Sequence, residues 1–141
     1  MRDATFSGVV VPGNGRGHGL GFPTANVAVA RGAVPPDGVY SCWVRLLADP
    51  VTHGATVSVG TNPTFDDVEG RRVEAYLHDF DGDLYGRTLE VRLVRLLRPT
   101  SRFRSVAELI AQSADDVRRS RAVLREAQSE SGGRWGSTAA T

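Results

Sequence analysis

The chain contains no lysine; all 17 of its basic residues are arginine. That absence removes several familiar phosphate chemistries. A Walker A loop needs its lysine on the β- and γ-phosphates, and a protein kinase needs a strand lysine on the same groups. Schiff-base catalysis is excluded as well. Any use of ATP must then rest on glycines, arginines and a metal ion. Cysteine is nearly as scarce. Cys42 stands alone in an apolar, strand-like run, so no intramolecular disulfide forms, and the residue reads as a small buried hydrophobe in a reducing cytoplasm. Long apolar stretches are missing too. The N-terminal MRDATFSGVVVPGNG has no signal-peptide core, and no run approaches the roughly 18 residues of a membrane helix. A soluble cytoplasmic protein without a membrane partner is expected. A net charge of +1 gives no general grip on nucleic acid.

The 141 residues suit one domain, which buries roughly two-thirds of the surface of its unfolded chain. There is no repeat of fixed period. Five strands are expected at Thr5–Val11, Gly38–Leu47, Ala55–Gly60, Arg72–Phe80 and Thr88–Leu97, rich in Val, Leu and aromatics and bounded by Gly, Pro, Asn and Asp. Strands so spaced suggest a small closed barrel, and the missing βαβ alternation argues against a doubly wound nucleotide fold. One helix is expected over residues 105–128. Ser105 and Glu108 form a capping box, and Val106, Leu109, Ile110, Val117 and Leu124 recur at helical spacing. Asp115, Arg118, Arg119 and Arg125 form a solvated opposite face. Residues 1–128 are thus the expected folded unit, and 129–141, with Trp135, a disordered tail.

The densest chemical signal is Gly13-Asn14-Gly15-Arg16-Gly17-His18-Gly19-Leu20-Gly21-Phe22-Pro23-Thr24-Ala25-Asn26. Closely spaced glycines let backbone N–H groups turn toward an anion without Cβ clashes, but they serve a long hairpin loop equally well. Pro23 stiffens the exit and keeps Phe22 extended. If the extension continues, Thr24 and Asn26 project to one side. Their hydroxyl and carboxamide oxygens could take part of the shell of Mg²⁺, or could merely satisfy a turn.

A second signal lies in Arg72-Val73-Glu74-Ala75-Tyr76-Leu77-His78. Val73, Ala75 and Leu77 alternate to one face, and Glu74, Tyr76 and His78 to the other. Glu74 could be a solvated strand residue or the acceptor for an alcohol's proton in phosphoryl transfer. Other candidates are weaker. His18 and His78 are isolated, and His53 falls in a loop-like stretch. Asp66-Asp67 and Asp81–Asp83 sit among turn residues, and no Gly-x-Ser-x-Gly elbow occurs.

Taken in order, these segments resemble the riboflavin kinase family, including the kinase module of bacterial bifunctional FAD synthetases. The resemblance runs from Gly15-Arg16-Gly17 and Leu20-Gly21-Phe22-Pro23-Thr24-Ala25-Asn26 through Gly38-Val39-Tyr40 and Val59-Gly60-Thr61-Asn62-Pro63-Thr64-Phe65. It continues in Val73-Glu74-Ala75, Asp79-Phe80, Leu84-Tyr85-Gly86, Leu97-Arg98-Pro99, Phe103, Leu109, Gln112, Asp116 and Arg121, and so covers about residues 6–124. It implies a mainly β fold, a six-stranded Greek-key barrel with a C-terminal helix, and transfer of a phosphate from ATP to the ribityl hydroxyl of riboflavin. By position, it implies that Thr24 and Asn26 hold Mg²⁺, or another divalent cation, together with the phosphates. Gly15, Arg16, Gly17, Gly21 and Pro23 would belong to a flap over the phosphates, with Leu84 and Tyr85 near the nucleotide. Glu74 would be the catalytic base, and Arg98, Phe103, Leu109, Gln112 and Asp116 would lie on the flavin side.

Two positions depart from the family pattern. Many relatives carry a basic residue where His18 stands and histidine where Tyr76 stands, which bears on nucleotide affinity more than on turnover. The signature begins almost at Met1, so an FMN-forming kinase without a preceding adenylyltransferase, acting as a monomer, is the expectation. Three other readings stand beside it: a non-catalytic flavin or nucleotide sensor, a kinase for a modified flavin or another small alcohol, and an RNA-binding barrel. The last suffers from the neutral charge and the lack of an aromatic platform.

Overall fold

Alternating apolar residues close the strands on themselves. The computed structural model describes residues 5–12, 24–61 and 71–131. Six antiparallel strands, β1 (Thr5–Val11), β2 (Ala25–Gly32), β3 (Gly38–Leu46), β4 (Thr52–Thr61), β5 (Arg71–Leu77) and β6 (Thr88–Arg98), form a closed barrel in the order β1-β2-β5-β4-β3-β6. The hairpin-linked β3, β4 and β5 are joined by β6, which returns beside β3, and that is the Greek-key path. One helix, α1 (Val106–Ser131), follows and packs against β3, β4 and β6.

The barrel is filled by side chains of one strand face, including Phe6, Val27, Val44, Val57, Val73, Ala75, Leu89 and Val91, all buried. Burying such a row is the main stabilising term, about 1.5–3 kcal/mol for each large aliphatic side chain. Cys42 lies in this core, and burial pushes its thiol far up from its ordinary range, so it stays an inert hydrophobe. At Gly8 the β1–β2 register slips by one residue. A Cβ there would sit 2.2 Å from the Ala28 carbonyl oxygen, so the bulge requires glycine.

The outer face of β3, β4 and β6 is covered in part by α1. At its seam, Ser120 Oγ stands 3.0 Å from Ser41 Oγ and 3.1 Å from the Ala55 carbonyl oxygen, while Ser41 Oγ donates to the Ser120 carbonyl at 3.1 Å. The capping box forms in part. Ser105 Oγ accepts from the Glu108 N–H at 3.1 Å, but Glu108 reaches back to the Arg104 N–H instead of that of Ser105. Asp115 and Arg118 pair on the outer face, and Arg119 donates to the Leu97 carbonyl at 3.0 Å.

Several expectations need correction. β2 was not among the expected strands, because Ala-Asn-Val-Ala-Val-Ala carries little of the β-branched and aromatic bulk that marks one. β4 starts three residues earlier than expected, so His53 lies on a strand, edge-on to Phe80 at 5.3 Å. β5 ends at Leu77, and the chain turns at Asp79, whose φ is +54°. In α1, Leu109, Val117 and Leu124 face inward, but Val106 is 61% exposed and Ile110 37%. Polar Ser113, Asp116 and Ser120 take the inward positions instead, which a search for apolar spacing passes over. The helix runs to Ser131, three residues into the expected tail. Trp135 and the rest of that tail lie outside the described residues.

Candidate functional site

Because β2 and β5 are antiparallel neighbours, Asn26 pairs with Glu74 and Ala25 with Ala75. The alanines point into the core; Asn26 and Glu74 point out of the barrel, half-buried. On the other flank of β5, Ser58 pairs with Glu74 and Thr56 with Tyr76. This is period-two geometry at work: every residue of the row Glu74, Tyr76, His78 faces away from the packed interior.

Two cavities adjoin the β2–β5 ladder, one reaching the inward-facing Ala25 and Ala75 and the other the outward-facing Glu74. The first, of about 240 Å³, is lined by Val10, Thr24, Tyr76, Phe80, Leu84 and Tyr85 among others. Asp83 Oδ1 accepts from the Tyr85 N–H at 3.0 Å and so shapes its rim, which is the turn role expected of that acid. The second, of about 170 Å³, lies between the barrel and α1. Its barrel wall carries Thr56, Ser58 and Glu74, its helix wall Leu109 and Asp116, and Phe103 enters from the segment before α1. Thr24 and Tyr76 line both cavities. A group held at Thr24 therefore stands at the junction of the two spaces.

The second cavity is braced by a bidentate ion pair. Arg98 Nε and Nη2 donate to Asp116 Oδ1 and Oδ2, each at 2.8 Å, and Gln112 Nε2 adds a bond to Oδ1 at 3.0 Å. The Arg98 and Asp116 side chains are only 18% and 6% exposed. The guanidinium carbon also lies 5.8 Å from the centre of the Phe103 ring. Glu74 forms no ion pair among the described residues, and its side chain lines the second cavity.

Of the expected site residues, the fold brings Thr24, Asn26 and Glu74 together at the β2–β5 ladder and sets Leu84 and Tyr85 on the first cavity. Arg98, Phe103, Leu109 and Asp116 line the second, while Gln112 reaches it only through Asp116. Gly15, Arg16, Gly17, His18, Gly21 and Pro23 lie outside the described residues, as do Asp66 and Asp67. Thr56, Ser58 and Ser113 were not anticipated. The signal for Thr56 and Ser58 was present on β4, where hydroxyl residues alternate with Ala55, Val57 and Val59, whereas Ser113 on α1 gave none. Arg121 holds Asp79 in a second bidentate pair at 2.8 and 3.1 Å, which fixes the turn leading to Phe80.

Residues 1–124 match the riboflavin kinase family pattern. The chain belongs to the riboflavin kinase family. Its relatives include the bifunctional riboflavin kinase/FMN adenylyltransferase of Listeria monocytogenes, 37% identical over 119 residues, which cover 84% of this chain and 37% of that one. The chain thus spans little more than a third of the length of that curated relative. Among solved structures, riboflavin kinase from Trypanosoma brucei superposes with a TM-score of 0.65 over 95% of this chain and 84% of that one. At 22% identity that likeness speaks for the fold. A structure named as a macrolide-efflux protein from Streptococcus pneumoniae superposes with a TM-score of 0.73 at 36% identity, covering 83% of this chain and 38% of that chain. The efflux name belongs to that protein and is not carried over here. No helix among the described residues is long and apolar enough to cross a membrane.

Proposed function

We propose that this riboflavin kinase family member transfers the γ-phosphoryl group of ATP to the ribityl 5′-hydroxyl of riboflavin, giving FMN and ADP. The observation that carries this reading is the pairing of Asn26 with Glu74 on the ladder, with Glu74 in the wall of the second cavity and Thr24 common to both cavities. A donor in the first cavity and an acceptor in the second would meet at that point. The Arg98–Asp116 brace, the Phe103 ring and Leu109 give the second cavity the apolar and polar walls a flavin ring requires.

Phosphoryl transfer asks mainly for alignment and charge neutralisation, with one acceptor for the alcohol's proton. Glu74 takes that proton, its free carboxylate facing the acceptor cavity. Thr24 and Asn26 offer two neutral hard oxygens, a donor set that suits a Mg²⁺ ion keeping its other positions for water and phosphate oxygens. The ion, when bound, supplies charge neutralisation on the phosphates. The Asn26 amide oxygen accepts a 3.5 Å contact from Arg72 Nη1, long enough to leave it a competent donor to a cation. Gly15, Arg16, Gly17, Gly21 and Pro23 are assigned to the cover over the phosphates. Residues 1–128 form the working unit, which acts as a cytoplasmic monomer on small-molecule substrates without nucleic acid or membrane.

The test is an acceptor panel with ATP and Mg²⁺, in which riboflavin, flavin analogues and simple polyols compete and phosphate transfer is read. Riboflavin is expected to be the preferred acceptor. Tight flavin binding without transfer would turn the reading into that of a sensor, and preference for another alcohol would reassign the acceptor.

A further inference from the structure

Thr56 and His78 make a contact that the proposed mechanism does not use. Thr56 Oγ1 lies 2.8 Å from His78 Nε2, and both residues are buried. Thr56 lines the second cavity beside Ser58, Glu74 and Tyr76. His78 is not in that wall. Its ring lies behind Thr56, against the main chain of Gly54, where an added Cβ would come within 3.0 Å of Nδ1 and 2.8 Å of Leu124 Cδ1. Glycine at 54 thus makes the room that lets this imidazole lie between β4 and α1.

A threonine hydroxyl has one proton, and its direction decides what the cavity meets. If Thr56 donates to Nε2, it offers the cavity only lone pairs. If Nε2 carries the hydrogen and donates, the Thr56 proton is free to point into the cavity. The charge beside the ring favours the second arrangement. The Nδ1 edge lies against Gly54, and the residue lines a cleft with His53, Gly54, Asp79, Arg121 and Arg125. There burial, and then the Arg121 charge, oppose protonation of the imidazole. Asp79 pulls the other way but is engaged on both oxygens by Arg121. A cation on that side favours a lone pair at Nδ1 and hence the hydrogen at Nε2.

We propose that Thr56 is a specificity-determining residue of the acceptor cavity and His78 the positioning residue that turns the Thr56 hydroxyl proton into it. The group recognised is a pure hydrogen-bond acceptor, a ring carbonyl oxygen or an unprotonated ring nitrogen of the acceptor substrate. A ribityl hydroxyl can donate or accept and so draws no benefit from a fixed proton; the oxidised isoalloxazine edge does. This rests on the reading of the second cavity as the flavin site.

The experiment measures riboflavin affinity by fluorescence quenching without nucleotide, alongside steady-state kinetics. Thr56→Val, which keeps shape and loses the hydroxyl, is expected to weaken riboflavin binding about tenfold, in line with an unpaired polar group in a recognition site. Thr56→Ser should bind as the wild type does. His78→Gln retains a donor near the Nε2 position and should stay within about threefold, whereas His78→Leu should lose about as much as Thr56→Val. The double variant Thr56→Val/His78→Leu should lose no more than either single one. The KM for ATP should not move in any variant. Riboflavin affinity unchanged in Thr56→Val overturns the proposal, and so does full additivity in the double variant. If His78→Leu does not fold, Thr56→Val and His78→Gln decide the matter alone. A wild-type protein that binds riboflavin without phosphorylating it defeats the kinase reading but leaves this proposal measurable; one that binds no riboflavin defeats both.

Discussion

Asn26 and Glu74 face each other across the β2–β5 ladder, although 47 residues lie between them in the chain, and both point out of the barrel rather than into it. That pairing joins a neutral oxygen donor to a carboxylate on one surface. It explains how Asn26, which follows a glycine-rich segment in sequence, and Glu74, on a strand in the middle of the chain, come to lie side by side.

Glu74→Gln keeps size and removes the base. Turnover of riboflavin is expected to fall by about 10²- to 10⁴-fold, with riboflavin binding by fluorescence quenching within a few-fold of wild type. Unchanged kcat takes Glu74 out of the chemistry.

Thr24→Val and Asn26→Leu remove the two neutral oxygens. Each is expected to raise the Mg²⁺ concentration needed for half-maximal activity about tenfold or more, while riboflavin binding without nucleotide is preserved. A titration of Mg²⁺ at fixed ATP reads this directly; an unaltered metal requirement would place the ion elsewhere.

The Arg98–Asp116 pair is nearly out of solvent, so breaking one half leaves a charge stranded. Asp116→Ala is expected to cost about 3 kcal/mol of stability, and Arg98→Met combined with Asp116→Leu to recover much of it. Riboflavin affinity should suffer in both. Chemical denaturation compares them, and equal stability of the single and double variants would contradict the stranded-charge account.

His78 makes stability depend on pH. Burial, and then the Arg121 charge, push its pKa down to about 4, with Asp79 opposing. An unfolded histidine titrates near 6.5, so between these values the unfolded chain binds the extra proton. The contribution is therefore complete above about pH 6.5 and is lost as pH falls toward 4, amounting to about 1–2 kcal/mol after solvent screening is allowed for. The Asp79 carboxyl, held below its usual range by its bonds to Arg121, adds its own loss only at still lower pH. Thermal melts at pH 7.5 and 4.5 should show the wild type losing more than His78→Gln; equal losses would mean that His78 is not the titrating group.

Much of this architecture was legible in the residues. The barrel strands β1, β3 and β6 announced themselves through Val, Leu and aromatic residues between turn signals, and α1 through Ser105 and Glu108. β2 was hidden because its pairing partners, and not its alanine-rich composition, hold it as a strand. On α1 the helical spacing was sound but the facing was not. Val106 and Ile110 stand at the exposed start of the helix, while the inward positions are used by Asp116 to anchor Arg98 and by Ser120 to dock on Ser41. Polar residues with tertiary partners do not show in a search for apolar stripes. Glu74 was readable from alternation alone as facing away from the core, but the cavity in front of it exists only because α1, some thirty residues later, closes the other side. Thr56 and His78 could not be joined from spacing, since their contact depends on which strands become neighbours.

Thr24 and Tyr76 line both cavities, so on the proposed reading they stand between the two ligands. A displacement of either residue that improves the fit on one side alters the fit on the other. Thermodynamic reciprocity then obliges the two ligands to alter each other's affinity by the same factor. Variants at these two positions will therefore be recognised by a change in that shared factor, measured from either side with the same answer.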